Sequence, residues 1–360
     1  MKTALVHPWL IRMRGGEKAL EAIAALRPEA AIHTLVCDPP RLSAALRARD
    51  IRTSWLDALP GATRRYPQLL PLHPAAYASL DLRGADLVLT NDSSLAKTVR
   101  VPPGAVHVCY CLTPPRYLWD MPDVYLARVG PFQRAVAATL LPRLRRLDRE
   151  AAGRVRHFIA ISEHVRERIR RHYGRESVVI YPPVEPFDPP PVPPGGFYLA
   201  VGQLVPYKRM DLAVEAAKQL GRRLVVIGEG PERGRLESIA GPGTSFLGWQ
   251  DDATVRRHYA ACRALLFPGE EDFGIVPVEA QMAGRPVIAF RKGGALETVV
   301  EHETGLFFDR PEPGALAETM LFFERREGDF DPAHARRNAM RFRPAVFRDA
   351  LSRFLAELGA

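Results

Sequence analysis

Two carboxylates and a lysine carry the chemistry that this chain's spacing makes available. Glu271 and Glu279 stand in Pro268-Gly-Glu-Glu-Asp-Phe-Gly-Ile-Val-Pro-Val-Glu-Ala-Gln-Met-Ala-Gly-Arg-Pro-Val-Ile288. The stretch follows the apolar run Ala264-Leu-Leu-Phe267, which reads as a buried strand. An acidic turn with Gly269 and Gly274 comes next, then a helix from about Ile275 to Ala283 that Gly284 ends. Glu271 thus falls on a strand-to-helix loop and Glu279 about one turn into the helix. Loops of this kind line the ligand crevice of open parallel sheets. The helix start, Phe273, Gly274, Ile275 and Val276, offers backbone N–H groups to an anion. Carboxylates accept hydrogen bonds from hydroxyls, and helix N–H groups take phosphate oxygens. A polyhydroxylated ligand bearing phosphate suits the stretch. Lys208, on the loop after Phe197-Tyr-Leu-Ala-Val201, is placed to meet that phosphate. The plainer readings are acids that complement a helix dipole and a solvent-exposed lysine.

Positioning these groups requires strands that end at one crevice, and the chain alternates strand and helix throughout. Thr3–His7 reads as the first strand, followed by Gly15-Gly16 and a helix to about Leu26. Ala31–Val36, Ala85–Thr90, Ala105–Tyr110, His157–Ile161 and Ser177–Tyr181 read as further strands. Helices are expected over Pro40–Arg49, Pro67–Ser79, Arg128–Ala152 and from Ser162 through Tyr173. The polar turn Asn91-Asp-Ser-Ser94 suits helix capping or acceptor contact. In Arg128–Ala152, Leu140, Leu144 and Leu147 share a face and Arg134, Arg143, Arg145, Arg146 and Arg149 crowd the rest. That pattern fits a solvated surface helix or one docking on anionic lipid.

The proline-dense stretch 182–196 marks a boundary, since it can hold neither a helix nor an inner strand. A second βα series then runs through Phe197–Val201, Arg223–Ile227 and Arg285–Ala289, with Asp251 capping a helix to about Ala261. Gly228-Glu-Gly-Pro-Glu232 is no dinucleotide fingerprint, because Gly234 falls one residue late. Asp329-Phe-Asp331 has the form of a metal motif but lies away from the strand-end loops, so it reads as helix capping and no metal is expected. The expected organisation is an N-terminal domain 1–181, a linker 182–196, a second domain 197–342, and a helix in 343–360 that packs back across the domains. The fold class is α/β, two Rossmann-like parallel sheets facing across a cleft.

Composition narrows the function classes. Lysine and arginine outnumber acids 50 to 41, a net +9 that favours anionic partners. No basic-aromatic motif accompanies the charge, so nucleic acid is not expected. No apolar run reaches ~20 residues, and the chain enters a strand at once, so a cytoplasmic protein without signal peptide is expected. The four cysteines show no metal or redox spacing and fit buried free thiols.

The combination Glu-x7-Glu with Phe-Gly between, then Ala-x2-Ala-Gly-x-Pro-Val, resembles the signature of the family-4 retaining glycosyltransferases of GT-B fold. Cys111-Leu-Thr-Pro-Pro-Arg-Tyr-Leu-Trp-Asp120 resembles the same enzymes, especially the mannosyltransferase-like ones of bacterial surface polysaccharides. The resemblance implies a metal-independent hexosyltransferase with a GDP- or UDP-linked donor on the second domain and no other cofactor. The acceptor, a glycan or polyprenyl-phosphate-linked sugar, would lie on the first domain, at the inner face of the membrane. It also implies roles. Lys208 and helix N–H groups stabilise the leaving diphosphate, with Gly15 and Gly16 beside it. Glu271 holds the donor sugar and Glu279 the ribose. Gly228 and Phe246-Leu-Gly-Trp249, with Trp249, flank the base. Two positions depart from the pattern. Leu112 stands where histidine faces the sugar, and Gln203 where arginine meets the diphosphate, with Arg209 the substitute at hand. These departures favour an alternative, a nucleotide-sugar-binding protein with weak or no transfer. A phosphorylase-like reaction would need a pyridoxal lysine motif that is not found.

Overall fold

The computed structural model describes residues 1–127, 130–193 and 195–359. Arg128 at the expected helix start, Pro194 in the linker and Ala360 in the C-terminal segment lie outside the described residues. The chain forms two compact units, one of residues 1–183 with the segment from Pro344 onward, the other Val184–Arg343.

The first unit is built on seven parallel strands in the order β3-β2-β1-β4-β5-β6-β7. These are β1 Thr3–His7, β2 Ala31–Thr34, β3 Ile51–Thr53, β4 Leu87–Asp92, β5 Val106–Cys111, β6 His157–Ala160 and β7 Ser177–Val179. β1 and β4 are buried along their whole length, as strands covered on both faces must be. The second unit carries six parallel strands in the order β10-β9-β8-β11-β12-β13. They are β8 Tyr198–Val201, β9 Leu224–Ile227, β10 Thr244–Gly248, β11 Leu265–Phe267, β12 Val287–Phe290 and β13 Gly305–Phe308. Both orders reverse direction at one point, between β1 and β4 and between β8 and β11. In open parallel sheets ligands bind outside the strand C-termini at that reversal.

The helix Pro344–Glu357 buries Phe347, Leu351 and Leu355. Phe347 sets its ring edge-on to Tyr110, centroids 5.7 Å apart, so the chain's end completes the first unit. The proline-dense stretch is tied down rather than loose. Val184 is buried and its N–H donates to the Phe342 carbonyl at 2.8 Å, while the Gly195 N–H reaches the Ala261 carbonyl at 2.7 Å.

Caps fall where side-chain chemistry calls for them. Ser162 accepts from the Val165 N–H at 3.0 Å, and Asp251 from that of Thr254 at 2.7 Å. Asp331 caps the helix Pro332–Ala339 through the Ala333 N–H at 2.8 Å. The expected Pro40–Arg49 helix is instead a 3-10 turn, Pro39–Arg41, and a short helix, Ala44–Arg47. Pro67 and Pro71 likewise make Tyr66–Leu72 a 3-10 segment before the helix His73–Ala78, because proline withholds the N–H that a continuous α-helix needs.

His33, His73 and His107 are buried in the first unit. Burial pushes each imidazole down to about 4. The unfolded chain, with ordinary histidines near 6.5, therefore binds more protons than the folded one between those values. Stability is complete above about pH 6.5 and is lost as pH falls toward 4. Urea unfolding of the first unit should show a midpoint that drops steadily from pH 7 to pH 5; an unchanged midpoint would contradict neutral buried histidines.

Candidate functional site

Lys208 and Glu271 flank the reversal point of the second sheet. Lys208 ends the 3-10 turn Pro206–Lys208 after β8, and Glu271 lies on the loop after β11. The two side chains form an ion pair, Nζ donating to Oε1, with 13% and 21% of their surfaces exposed. They are therefore reachable from solvent yet shielded enough for a charge to be felt. Glu270 beside them pairs with Lys292 at 2.9 Å.

Glu279 is on the helix Ile275–Met282 and accepts a hydrogen bond from the Tyr259 hydroxyl at 3.0 Å. Tyr259 is buried. Burial, then the charge of Glu279, lifts its phenol well above its ordinary range, so it stays a donor and fixes the carboxylate. The helix follows Gly274, whose φ is +91° and which has no capping side chain. Its leading N–H groups, on Ile275 and Val276, have no intrahelical partner, and Pro277 has no N–H at all. Gly284, at φ +75°, ends the helix as its type predicts. A buried amide network locks the element in place. Gln281 Nε2 donates to the Thr298 carbonyl at 2.7 Å, and Asn338 Nδ2 donates to Gln281 Oε1 at 2.6 Å.

The strand-end loops touch backbone to backbone. A Cβ on Gly228, whose φ is +143°, would sit 1.8 Å from the Gly202 carbonyl oxygen, and one on Gly293 would sit 2.4 Å from that of Glu271. Only glycine permits either approach. The Gly228 N–H donates to the Gly248 carbonyl at 2.8 Å, which brings Gly228 and Trp249 to neighbouring strand ends. Trp249 is 74% exposed, a large flat apolar ring in solvent.

Two expected ligand contacts have other partners. The Phe273 ring is buried and edge-on to Phe342 at 5.2 Å, so its side chain packs and only its backbone borders the site. Arg209 has a left-handed backbone, φ +48°, and its guanidinium goes to Asp211 at 3.2 Å and the Pro311 carbonyl at 3.4 Å. Gln203 lies just after β8.

Gly15 and Gly16 belong to the first unit and open the helix Gly15–Leu26. A Cβ on Gly16 would lie 2.9 Å from Leu112 Cδ1, so this turn and the loop after β5 meet. That loop is clamped by Arg168, which binds Asp120, Thr113 and the Pro114 carbonyl. The aromatics in it are structural. Tyr117 bonds Ser94 at 2.7 Å, and Trp119 donates to Asp148 at 2.8 Å while stacking on His172. Sequence reasoning missed the charge behind them. Lys97 is 2% exposed and bridges Asp92 at 3.0 Å and Asp148 at 2.6 Å. The Asp92–Ser94 turn, with a lysine five residues on, was the only signal. Among the described residues no group of three His, Cys, Asp or Glu side chains is arranged to hold a metal ion.

Comparison with known proteins places this geometry. Residues 185–341 match the family model for glycosyl transferases group 1. Among curated proteins, the chain is 28% identical over 168 residues to an uncharacterised glycosyltransferase of Methanocaldococcus jannaschii, covering 45% of this chain and 48% of that protein. It is 36% identical over 132 residues to a GDP-mannose-dependent alpha-mannosyltransferase of Mycobacterium tuberculosis, covering 35% of this chain and 34% of that one. The chain thus spans about half or less of the length of these relatives. Solved structures match nearly the whole chain. Anabaena HepE in complex with UDP gives a TM-score of 0.70 at 18% identity, over 99% of this chain and 100% of that one. Sucrose-phosphate synthase from Thermosynechococcus elongatus gives 0.72 at 17%, over 99% of both. The chain therefore has the GT-B fold.

Proposed function

We propose that this chain is a retaining, metal-independent hexosyltransferase that moves a hexose from a GDP- or UDP-linked donor to a glycan or polyprenyl-phosphate-linked acceptor. The observation that carries the reading is the Lys208–Glu271 pair at the reversal point of the second sheet, with Glu279 held by Tyr259 on the adjoining helix. The relatives named for GDP-mannose favour mannose; the UDP complexes of HepE keep the uridine donor in view. In this reading Glu279 binds the ribose, Glu271 the sugar hydroxyls, and Trp249 and Gly228 border the base. Lys208 and the N–H groups of Ile275 and Val276 stabilise the departing diphosphate as the sugar gains oxocarbenium character. The leaving phosphate takes the acceptor's proton, so no separate base is required.

The experiment is a panel of nucleotide sugars incubated with the chain and an acceptor mixture, with and without a metal chelator. Release of nucleoside diphosphate from at least one donor, unaffected by the chelator and giving an α-linked product, is the expected result. A β-linked product, or release abolished by chelation, contradicts the mechanism. Binding without release supports the second reading, a nucleotide-sugar-binding protein, which Leu112 and Gln203 favour.

The acceptor class implies a membrane surface. Among the described residues no helix is long and apolar enough to cross one. The helix Pro131–Arg154 exposes Arg134, Arg143, Arg146 and Arg149, and a hollow of about 430 Å³ is lined by Trp119, Arg145, Arg146, Arg149 and Glu150. Vesicles with anionic lipid should sediment the chain at low salt and release it at high salt. Equal partition onto neutral vesicles would contradict an electrostatic contact at the inner face of the membrane.

A further inference from the structure

The helix Pro131–Arg154 buries Leu144, Asp148, Ala151 and Ala152. Pro142, Arg145, Arg146, Arg149 and Glu150 recur at the i, i+3, i+4, i+7 and i+8 spacing of another helical face. With Trp119, from the loop after β5, they line the hollow of about 430 Å³. That is the size of a small-molecule site.

The neighbouring helix Glu163–Tyr173 pairs arginines with acids, Arg166 with Glu163 at 2.6 Å and Arg170 with Glu167 at 3.2 Å. Among the described residues the three arginines of the hollow form no ion pair with a carboxylate, Glu150 beside them included. Two of them are anchored through Nε, Arg145 on the Leu118 carbonyl and Arg149 on the His172 carbonyl at 3.2 Å. Anchoring Nε sets the plane of the guanidinium fork and leaves its terminal N–H groups for another acceptor. Arg149 also lies 5.1 Å from the centroid of the Trp119 ring, within cation–π reach. That ring is itself fixed. Its Nε1–H donates to the buried Asp148 at 2.8 Å, and it stacks on His172 at 4.9 Å. The lining is thus set before any ligand arrives, which lowers the ordering cost of binding.

We propose that this hollow is a binding site for a phosphomonoester, its oxygens taken by Arg145, Arg146 and Arg149 and the group that carries it set against Trp119. Three cations against one carboxylate select an anion. Guanidinium forks bond phosphate oxygens in pairs. A monoester offers them three terminal oxygens and nearly two charges, whereas a diester offers two such oxygens and one charge. The indole gives the carrier an apolar wall without demanding a particular carrier. A soluble glycerol or sugar phosphate and a lipid with a monoester headgroup share this chemistry. The site differs from an electrostatic contact between the helix and an anionic surface, because that contact counts charge and this site tells monoester from diester. None of its residues has a part in the proposed transfer, so it stands whether or not the chain moves sugar.

Calorimetry with glycerol 3-phosphate and sedimentation with vesicles test the proposal on the full chain. One vesicle set carries phosphatidic acid, whose headgroup is a monoester. The other carries phosphatidylglycerol, a diester, at matched surface potential. The chain should bind glycerol 3-phosphate, Arg146→Gln and Arg149→Gln should each weaken that binding about fivefold, and Glu150→Gln should tighten it. Both arginines are exposed; if Arg149→Gln melts early for want of its His172 contact, Arg146→Gln decides. Arg143→Gln, exposed on the same helix but outside the hollow, should reduce sedimentation on both vesicle sets alike and leave glycerol 3-phosphate affinity unchanged. Stronger sedimentation on phosphatidic acid, lost in Arg146→Gln, would support the site and assign its ligand to a lipid headgroup. Equal sedimentation with glycerol 3-phosphate bound would support it and assign the ligand to a soluble ester. No binding of glycerol 3-phosphate together with equal sedimentation on the two sets would overturn the site and leave only diffuse surface charge. Binding that Arg146→Gln and Arg149→Gln both leave unchanged would place the phosphomonoester elsewhere and overturn it as well.

Discussion

Lys208→Ala should lower transfer by on the order of 10²–10³-fold, the scale seen when one preorganised group that meets developing charge is removed. The reason lies in the pairing. Lys208 neutralises Glu271 in the resting site. A bound diphosphate would draw the ammonium toward itself and would then stand near the carboxylate that this lysine balances. Without Lys208 the leaving group loses a cation and gains an uncompensated like charge. Lys208→Arg keeps the charge but not its compact shape and should recover part of the rate. Single-turnover transfer measured for both variants checks this. Equal rates for wild type and Lys208→Ala would mean that the pair is only a surface contact.

Lys97→Ala should destabilise the first unit by about 3–5 kcal/mol, the usual cost of removing one partner from a buried ion pair. Here the cost is at the upper end of that range because two carboxylates lose their cation. Lys97 lies between Asp92 and Asp148. Asp92 is held charged by its lysine and by N–H groups of Ser94, Ala96 and Lys97, which keep its carboxyl below the usual range against the cost of burial. Asp148 also anchors Trp119 and Tyr173. The loss therefore spreads from the Asp92 turn to the helices Pro131–Arg154 and Glu163–Tyr173. Chemical denaturation of the variant gives the number, and a loss below about 1 kcal/mol would show that the carboxylates find other partners or protonate at little cost.

The fold was legible because buried parallel strands read as unbroken apolar runs. Leu87-Val-Leu89 and Leu265–Phe267 are such runs, although the first strand continues through the polar Thr90, Asn91 and Asp92, of which the last two read as a turn. The strands that escaped notice, Ile51–Thr53, Thr244–Gly248 and the buried Gly305–Phe308, are short edges. Ile51–Thr53 is largely exposed and carries Arg52, and Thr244–Gly248 alternates half-buried with exposed positions. Such segments gain order from a neighbour's hydrogen bonds rather than from their own composition. Site legibility divided the same way. Glu271, Glu279 and Lys208 announce themselves because charged residues beside glycines at strand ends have few structural uses. Tyr259 and Lys97 did not, because a residue whose partner lies far along the chain leaves no local pattern. Arg209 differs: its guanidinium goes to Asp211, two residues on, and to the Pro311 carbonyl, and only the second of these is remote in sequence.

The central claim is that one site holds a nucleotide with Glu279 and the sugar attached to it with Glu271. Calorimetric affinity for the bare nucleoside diphosphates UDP and GDP, measured on Glu279→Ala and Glu271→Ala, tests it most directly. Losing a charged acceptor of hydrogen bonds costs about 1.5–3 kcal/mol, so Glu279→Ala should bind the preferred diphosphate roughly ten- to a hundredfold more weakly, while Glu271→Ala should stay within about threefold of wild type. Equal weakening in the two variants would contradict the assignment of Glu271 to the sugar. No weakening in either would contradict a nucleotide site at the β8–β11 reversal.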